Sequence, residues 1–589
     1  MNIEPLEARI APATLHVTSL LDDLSGGTLR EAIIAANADP ATADTIVFDP
    51  GVTGSIDLDP LKNAIPITGP VTIKGPGIDK LTVNGGNTTR AFFIDDGDAG
   101  LLSPVSISNL GIVGGAGGTN GGAIVCFEPL SLTNVGITGG QVNSSGGGLW
   151  VGTAGKVTLS GCRIFGNSAD SGGGAAIAAD AGITITKTIF AGNSAVDFDG
   201  GGALLASSGS AGFINITSSQ VMNNMAKLQG GGLHLIVDAT RLATVAKCVI
   251  AGNSSQEGGG AYLLNGRANV SNSFFTGNSA ESGGGMFVGP AISDLALTKS
   301  VFSGNVATSA VSGSGGAIFV TATAKISGSQ FLHNTSALDG GALGLIDAGV
   351  TISSSLFAGN TADADGGAIA QRNGSLVLKS GNFLANSSAV YGGAILADGA
   401  VTVTGGKFLH NTAGSNGGAI YTKRSSPSSA GALVVTGALF QGNVGDGGGA
   451  LFFFDDSTGT IKGAKFLENL SKNTGGAVSS ASTGTIDLSG SLFRGNVADT
   501  SGGAVRIILG DARITSCSFF DNTGSMKTGE GGAISIKAGA GVVTLSKLKV
   551  IGNSAATGGG ISNAGGATSL TASTVIGNFA IIESNTSGI

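Results

Sequence analysis

One short motif recurs along most of this 589-residue chain, and its spacing restricts the fold more than any other feature. The motif reads Phe-x-Gly-Asn-Ser/Thr-Ala, then a polar loop, a Gly-Gly pair and an apolar residue, as in FAGNSAVDFDGGGALL from Phe190 and FAGNTADADGGAIA from Phe357. A period of about 20–50 residues is typical of solenoid repeats. Sixteen asparagines mark the register, at intervals of 25 to 32 residues: Asn167, Asn193, Asn224, Asn253, Asn278, Asn305, Asn334, Asn360, Asn386, Asn411, Asn443, Asn469, Asn496, Asn522, Asn553 and Asn578.

The residues between the marks predict β-structure. Each interval holds three short β-forming segments separated by turn residues, too short for helices. The position three residues before each marking asparagine is always apolar and is phenylalanine in eleven of the sixteen repeats. We therefore predict an all-β, single-stranded, right-handed parallel β-helix (a solenoid) of about 17 coils, in which equivalent strands lie about 4.8 Å apart.

Three columns of side chains should follow from that stacking. The phenylalanines should form a buried stack with offset ring contacts. The asparagines should form a turn ladder, because asparagine tolerates the left-handed conformation and bonds to neighbouring backbone. The Gly-Gly pair should allow a sharp corner where a Cβ would clash.

Composition agrees with a tightly packed β-fold and excludes several other classes. The chain has 104 glycines but no collagen period, and its hydrophobic content of 41% is too high for disorder. The net charge of −8 argues against nucleic acid as a partner. The four cysteines, Cys126, Cys162, Cys248 and Cys517, have no zinc-site spacing and are interpreted as apolar thiols in the core.

The first hundred residues differ from the repeats and predict a cap over the open end of the solenoid. The segment from Thr28 to Ala38 places Leu29, Ala32, Ile33 and Ala36 on one helical face, with Thr28 and Glu31 as a capping box. We divide the chain into residues 1–14 (a leader-like or disordered tail), 15–104 (N-terminal cap and first coils), 105–578 (parallel β-helix) and 579–589 (C-terminal tail).

These segments carry a family resemblance. VTSLLDDLSGGTLREAIIAANA, followed by DTIVF and PVTIKGPG, resembles the N-terminal cap of bacterial right-handed β-helix repeat proteins with a CSLREA-type motif, although no cysteine precedes Leu29 here. The repeats through Asn578, with GGA[I/L] and FxxN, resemble those of the chlamydial polymorphic outer membrane proteins. Both belong to the broader pectate-lyase-like β-helix superfamily, whose members include enzymes and adhesins, so the resemblance implies the fold more than the function.

The location of the protein is predicted from its N-terminus and from that resemblance. MNIEPLEARIAPATL resembles the short LEPR-type leader of exported planctomycete and verrucomicrobial proteins, with a disordered tail as the alternative. No apolar run approaches the roughly 20 residues of a membrane-spanning helix, so no transmembrane segment is expected. We expect a bacterial protein that is secreted or associated with the cell surface or outer membrane, and a monomer.

No catalytic site can be assembled from the sequence. Of three Asp-Asp pairs, Asp22–Asp23 lies in the cap segment, and Asp95–Asp96 and Asp455–Asp456 have no neighbouring histidine or basic motif. All three are interpreted as solvated turn carboxylates. His333 and His410 precede marking asparagines where other repeats have glycine, and are interpreted as turn residues. The longer coil around Tyr421, Lys423 and Arg424, with Asp455 and Asp456, is the best catalytic candidate, and an inserted surface loop is the alternative.

The loops before the Gly-Gly pairs are often acidic, which predicts an acidic edge along the solenoid. The favoured interpretation is an edge that serves solubility; weak binding of Ca²⁺, which prefers oxygen ligands, is the alternative. No other cofactor is expected. The candidate metal ligands are Asp170, Asp199, Glu257, Glu281, Asp339, Asp365, Asp446 and Glu530.

Even repeats and few ionisable residues favour a non-catalytic, structural or adhesin-like protein that presents loops to glycans, other cells or envelope components. Its expected partners are carbohydrates or cell-surface proteins. The alternative is a polysaccharide-degrading lyase or glycoside hydrolase, which would need an irregular coil with clustered acids and a base.

Overall fold

The structure is a computed structural model that describes residues 12–115, 118–153, 155–311, 315–424 and 431–581, and the backbone of 586–587. The described residues wind into a parallel β-solenoid of about 21 turns, and they separate into two compact units that meet in sequence between Asn269 and Val270. We call the residues before this point unit 1 and those after it unit 2. Because strands stack from Thr14 onwards, well before the first marking asparagine, the prediction of 17 coils was too low.

In unit 1, strands of the same kind pair in parallel with their equivalents one coil away. The first kind comprises Thr14–Val17, Asp44–Phe48, Val71–Lys74, Val105–Val113, Leu130–Thr138, Val157–Ser160, Ile183–Thr186, Ile214–Thr217 and Leu242–Ala246. The second comprises Ile65–Ile67, Phe92–Ile94, Ile124–Cys126, Leu149–Thr153, Ala175–Ala179, Ala203–Ser207 and Leu233–Val237. The third comprises Gly54–Asp57, Leu81–Asn84, Arg163–Phe165, Ile189–Ala191, Gln220–Met222 and Val249–Ala251.

Unit 2 repeats the same three kinds of strand, and some strands bend through a corner to serve two of them. One kind comprises Met286–Thr298, Ile318–Val320, Leu343–Ile346, Ile369–Lys379, Ile395–Thr404, Ile420–Thr422, Leu451–Asp455, Val478–Ser482, Val505–Ile507, Ile534–Ile536, Ile561–Asn563 and Thr586–Ser587. Another comprises Ala324–Ser327, Gly349–Ser353, Ala432–Thr436, Thr458–Lys462, Ile486–Ser489, Gly510–Thr515, Ala540–Ser546 and Ala567–Thr571. The third comprises Phe274–Thr276, Val301–Ser303, Gln330–Leu332, Leu356–Ala358, Asn382–Leu384, Lys407–Leu409, Leu439–Gln441, Lys465–Leu467, Leu492–Arg494, Ser518–Phe520, Lys549–Ile551 and Thr574–Ile576; a strand Ala261–Ser271 precedes them.

A fourth, very short strand follows the marking asparagine in many coils, which the sequence did not predict. In unit 1 these strands are Ser168–Ala169, Ser194–Ala195 and Met225–Ala226. In unit 2 they are Ser279–Ala280, Val306–Ala307, Thr335–Ser336, Thr361–Ala362, Ser387–Ser388, Thr412–Ala413, Val444–Gly447, Leu470–Thr474, Val497–Ala498, Ser554–Ala555 and Phe579–Ala580.

The predicted phenylalanine column forms a continuous stack in unit 2. Ten buried rings lie nearly parallel, with centroids 4.5 to 5.4 Å apart. We call this set the phenylalanine stack: Phe275, Phe302, Phe331, Phe357, Phe383, Phe408, Phe440, Phe466, Phe493 and Phe519.

The asparagines also form a ladder, and their side chains bond to neighbouring backbone as predicted, but the predicted left-handed conformation does not fall on them. Their side chains are buried, and each amide donates to Oδ1 of the next asparagine; Asn360 Nδ2 lies 2.9 Å from Asn386 Oδ1 and 2.9 Å from the Phe331 carbonyl. The left-handed conformation falls on the preceding residue instead, such as Gly304 (φ 62°) or His333 (φ 52°). The turn role predicted for His333 and His410 is thus confirmed, because His410 has φ 55°.

The Gly-Gly corner is confirmed at Gly340 and Gly341. Gly340 has φ 63°, and a Cβ on Gly341 would lie 2.3 Å from the Gly367 carbonyl oxygen of the next coil. The four cysteines are buried and free, as predicted, and burial raises the pKa of the Cys126 thiol to about 12.

The predicted helix of the cap spans Leu29–Asn37, with Thr28 as N-cap and the Thr28–Glu31 capping box in place. Within the described residues it is the one α-helix, and a short 3-10 helix lies at Pro60–Lys62. Asp22 is not the solvated turn carboxylate predicted. It is buried and accepts two hydrogen bonds from Arg30, Nε to Oδ1 at 2.7 Å and Nη2 to Oδ2 at 2.9 Å.

Candidate functional site: an aromatic face on unit 1

Three aromatic side chains lie together on the outer face of unit 1. The strands Phe92–Ile94, Ile124–Cys126 and Leu149–Thr153 pair in register, so Phe93, Val125 and Trp150 lie above one another. Phe127 follows the middle strand and contacts both neighbours, at ring-centroid distances of 6.0 Å to Phe93 and 5.1 Å to Trp150. We call Phe93, Phe127 and Trp150 the aromatic platform.

A local sequence feature sets the orientation of the Trp150 ring. A Cβ on Gly152 would lie 2.7 Å from Cη2 and 3.2 Å from Cζ2 of Trp150, so the indole lies across Gly152 and would clash with any larger residue. Phe127 is 40% exposed, and Phe93 and Trp150 are half-buried. The platform is therefore a rigid, partly exposed apolar surface, and not part of the solenoid core.

Carboxylates border the platform on one side. Asp95 lies two residues after Phe93, directly after its strand ends at Ile94, and Glu128 follows Phe127. Ligand oxygens of Asp95, Asp96 and Glu128 lie within 4.8 Å of one another. Within the described residues, no other three acidic, histidine or cysteine side chains lie so close together. The Asp95–Asp96 pair is thus joined by a third acid that the sequence did not reveal.

Hydrogen bonds hold these carboxylates in place. Ser103 donates its backbone N–H to Glu128 Oε2 at 2.8 Å and its hydroxyl to Asp96 Oδ2 at 2.7 Å. Burial raises the pKa of Glu128, which is 4% exposed, whereas the hydrogen bond from the Ser103 hydroxyl lowers the pKa of Asp96. Each of these oxygens already accepts a hydrogen bond from the protein, so no cation is needed to hold the carboxylates in these positions.

A cavity of about 510 Å³ adjoins the platform. Its lining includes Phe93 of the platform, the polar side chains of Asn63 and Thr88, and the guanidinium-bearing Arg90. Burial lowers the pKa of Arg90, but the group stays charged in water at neutral pH. The face therefore combines a ring surface, an acidic border and a cavity with a cationic side chain.

The eight acids predicted as metal ligands lie in two positions, not in one column. Asp199, Glu257, Asp339, Asp365 and Glu530 immediately precede the first glycine of the corner, whereas Asp170, Glu281 and Asp446 lie one residue earlier. Asp339 is buried, Glu281 is exposed, and the other six are half-buried. Cation binding along this edge stays a prediction.

In unit 2, two of these acids belong to a charged cluster with the Tyr421 coil. Arg372 forms an ion pair with Asp339, and Asp365 donates its backbone N–H to Asp339 Oδ1 at 3.2 Å. Burial, and then the charge of Asp339, raise the pKa of Asp365, whereas Lys423 opposes the shift. Tyr421 stacks on Tyr391 at 4.4 Å. Asp455 and Asp456 are exposed at the end of the next strand.

A comparison with family models agrees with the repeat. Three stretches of unit 2, residues 299–321, 354–371 and 407–423, match the Chlamydia polymorphic membrane protein repeat, which confirms the resemblance predicted from the motif. No curated protein matches the chain.

Among solved structures, the PL6 family alginate lyase AlyGC matches over 98% of this chain and 100% of its own, with 10% identity and a TM-score of 0.21. A point mutant of the same lyase gives a TM-score of 0.22. Similarity at this level says nothing about activity. In the part of the chain that the structure describes, no helix is long and apolar enough to cross a membrane.

Proposed function

We propose that this protein is a non-catalytic, exported β-solenoid of the bacterial cell surface that binds carbohydrate on the aromatic platform of unit 1. The surface location is supported by the match of its repeats to those of a bacterial membrane protein family. Carbohydrate binding is supported by the platform itself.

The observation that carries the proposal is the Trp150 ring lying across Gly152 beside Phe127. A sugar ring presents a flat face of C–H groups, which gains contact area and dispersion energy on an aromatic plane. Because the rings are held by packing before the ligand arrives, binding costs little side-chain entropy.

The borders of the platform supply hydrogen-bonding groups for the hydroxyls at the edges of a stacked sugar. Carboxylates such as Asp95 accept hydrogen bonds from sugar hydroxyls, and the polar side chains of the Arg90 cavity offer further donors and acceptors. An apolar surface with a few placed polar groups is typical of a ligand site. A protein-binding patch would need a larger apolar area than three rings provide.

The test is glycan binding by Trp150→Ala, measured on a glycan array and then by calorimetry with the best oligosaccharide. Loss of the indole should weaken binding at least about tenfold, which corresponds to about 1.4 kcal/mol. Trp150→Phe should retain part of the affinity. The control is Phe454→Ala, which removes an exposed ring (41%, close to the 40% of Phe127) from unit 2 and should leave binding unchanged.

Equal loss of binding in Phe454→Ala, or full retention in Trp150→Ala, would contradict the platform as the site. The location is tested separately by immunolabelling and protease treatment of intact cells. Labelling that appears only after lysis would contradict surface display and leave the binding result unaffected.

A second candidate function is cleavage of a polysaccharide at the charged cluster of unit 2. The specific support is the grouping of Asp339, Asp365 and Arg372 beside the stacked tyrosines, where burial raises the pKa of Asp365 in the direction that a general acid needs. Incubation with neutral and acidic polysaccharides, followed by assays for reducing ends and unsaturated products, tests it. Activity that Asp365→Asn abolishes would establish this function instead.

A further inference from the structure

The rings of the aromatic platform do not lie in one plane. The planes of Phe93 and Phe127 differ by 58°, and those of Phe127 and Trp150 differ by 60°. Phe127 therefore stands at a steep angle between its two neighbours, so a ligand on one ring also meets the next ring. The face of an aromatic ring attracts cations as well as C–H groups. This arrangement suits a ligand in which a cationic group is attached to a carbon ring.

The charged side chains of this face are separated along the strand Phe92–Ile94. Arg90 lies before this strand, whereas Asp95 directly follows it. An extended chain covers about 16 Å between these two positions, so they belong to opposite ends of the strand. The backbone N–H of Phe127 donates to the Ile94 carbonyl oxygen at 2.9 Å, which places Phe127 beside Asp95 in the neighbouring coil. The acidic end of the face is therefore the end at which Phe127 lies.

The acidic residues of this face lie in a stretch of sequence without basic residues. Between Arg90 and Lys156 the chain has four acidic residues and no lysine, arginine or histidine. Lys156 itself lies against another ring, with Nζ 5.8 Å from the centre of Phe213. Burial raises the pKa of Glu128, and the charge of Asp96 adds to this rise. Like charges held close together repel, so a cation bound among these carboxylates would relieve the repulsion.

We propose that the glycan bound by the aromatic platform carries free amino groups, and that the stacked sugar is a hexosamine whose nitrogen is not acetylated. The sugar ring lies on the Trp150 indole, and its ammonium group lies at the Phe127 end, where it donates hydrogen bonds to Asp95 and Asp96. A carboxylate oxygen accepts more than one hydrogen bond, so the bond from the Ser103 hydroxyl leaves Asp96 able to accept another. This inference rests on the proposed carbohydrate function and narrows it to one class of sugar.

Other ligands match the face less well. A sugar with a hydroxyl or an acetamide in place of the amine is neutral and gains nothing from the negative charge. A uronic acid is attracted by Arg90 but repelled by the carboxylates that surround Phe127. Ca²⁺ takes about six to eight oxygen ligands, more than these side chains supply, and it gains nothing from the C–H contacts that the rings offer.

The experiment compares three β-1,4-linked hexasaccharides that differ only at carbon 2: those of glucose (hydroxyl), N-acetylglucosamine (acetamide) and glucosamine (amine). Binding to the full chain is measured by calorimetry at mildly acidic pH, so that the amines are protonated. The glucosamine hexamer should bind at least about tenfold more tightly than either of the others. This preference should fall as salt is added, because salt screens the attraction between exposed charges.

Two kinds of variant separate the amine from the sugar ring. Asp95→Asn and Asp96→Asn should each lower the ratio of the affinities for the glucosamine and glucose hexamers by at least about threefold. Trp150→Ala should weaken the binding of both hexamers and change this ratio little. The control is Asp238→Asn, which removes an exposed acid after the strand Leu233–Val237 and should leave both affinities unchanged. Circular dichroism establishes that each variant folds.

Equal affinities for the three hexamers, or a preference that survives both aspartate substitutions, would overturn the amino-sugar inference. Loss of hexamer binding in Trp150→Ala would in that case still support carbohydrate binding on the platform. A glucosamine hexamer that does not bind would also overturn the inference, and the glycan array then shows whether the platform binds another sugar. Tight Ca²⁺ binding that Asp96→Asn removes, without any preference for the amine, would assign the carboxylates to a metal ion instead.

Discussion

Aromatic side chains do different things in the two units. In unit 2 the phenylalanine stack lies in the core, where each ring packs on the next, and the ring planes of Phe383 and Phe408 differ by only 4°. In unit 1 the equivalent core column holds Ile164, Phe190, Val221 and Ile250, and the aromatic platform lies outside on the strand face. The platform rings are tilted by about 60° to one another.

The difference shows how a solenoid can separate stability from recognition. Identical coils place identical side chains above one another, so a favourable core contact is repeated many times. The same repetition makes the surface uniform, and a binding site needs several different side chains at one place. Unit 1 departs from the repeat in its first coils, and those coils hold the tryptophan, the three-carboxylate border and the Arg90 cavity.

The largest loss of stability should come from removing one ring of the phenylalanine stack. Phe357 packs on Phe331 at 4.6 Å and on Phe383 at 4.8 Å, and its side chain is fully buried. Phe357→Ala should therefore lower the free energy of unfolding by about 4 kcal/mol, the usual cost of a cavity of this size. Urea denaturation followed by circular dichroism measures it.

The platform provides the matched control for that change. Phe127→Ala removes the same side chain from an exposed position and should cost less than about 1 kcal/mol. Similar losses of stability in Phe357→Ala and Phe127→Ala would show that the platform is structural, and would remove the contrast between the units.

The cap of unit 1 should show the next largest effect. The buried Asp22 carboxylate is held by Arg30 and by the Asp59 N–H, and Asp22→Asn should cost about 3 kcal/mol because it leaves the guanidinium without its anion. Trp150 is the single tryptophan of the chain, so its fluorescence reports the unfolding of unit 1. Asp197→Asn breaks the exposed pair with Lys227 and should cost no more than about 0.5 kcal/mol.

The Asp22–Arg30 pair also makes the stability of the cap depend on pH. Burial alone would raise the pKa of Asp22, but the hydrogen bonds from Arg30 and Asp59 outweigh it and bring the pKa below the ordinary value of 3.8. The ionised carboxylate therefore stabilises the folded cap above that value, and this stabilisation is lost as the pH falls through the lower folded-state pKa. Asp22→Asn should abolish the corresponding acid-dependent step in the fluorescence. A step of unchanged size in the variant would assign it to other carboxylates.

The repeat predicted the core well because stacking turns a sequence column into a structural column. The positions of Phe357 and Asn360, the glycine corners and the cap helix all followed from spacing and residue type. The bonds of the asparagines to backbone were also predicted, but the left-handed conformation was wrongly assigned to them, since a side-chain ladder and a left-handed turn both favour asparagine and only the backbone angles distinguish them. The first coils were undercounted because they lack the marking residues.

The site was harder to predict because it depends on departures from the repeat. The lone Trp150, followed two residues later by Gly152, was a signal in the sequence, but nothing in the spacing showed that Phe93 and Phe127 would join it. Likewise Asp22 and Arg30 are eight residues apart, and Asp22 lies before the helical pattern that begins at Thr28, so no spacing connected the two. Outer-face contacts between coils depend on loop lengths, which vary from repeat to repeat.

The smallest predicted effect concerns the left-handed position before each marking asparagine in unit 2. Ala385 adopts φ 51° there, whereas most coils use glycine. The left-handed conformation costs an L-residue about 1 kcal/mol, and Ala385→Gly removes that cost. The glycine adds conformational entropy to the unfolded chain, so the net increase in the free energy of unfolding should be about 0.5 kcal/mol. The reverse change is Gly304→Ala, at φ 62° with no atom of the described residues within 4 Å of the new Cβ, and it should cost about 0.5 kcal/mol. Urea denaturation of both variants measures the pair. Changes of the same sign would mean that contacts between coils, and not backbone conformation, determine which residue this turn accepts.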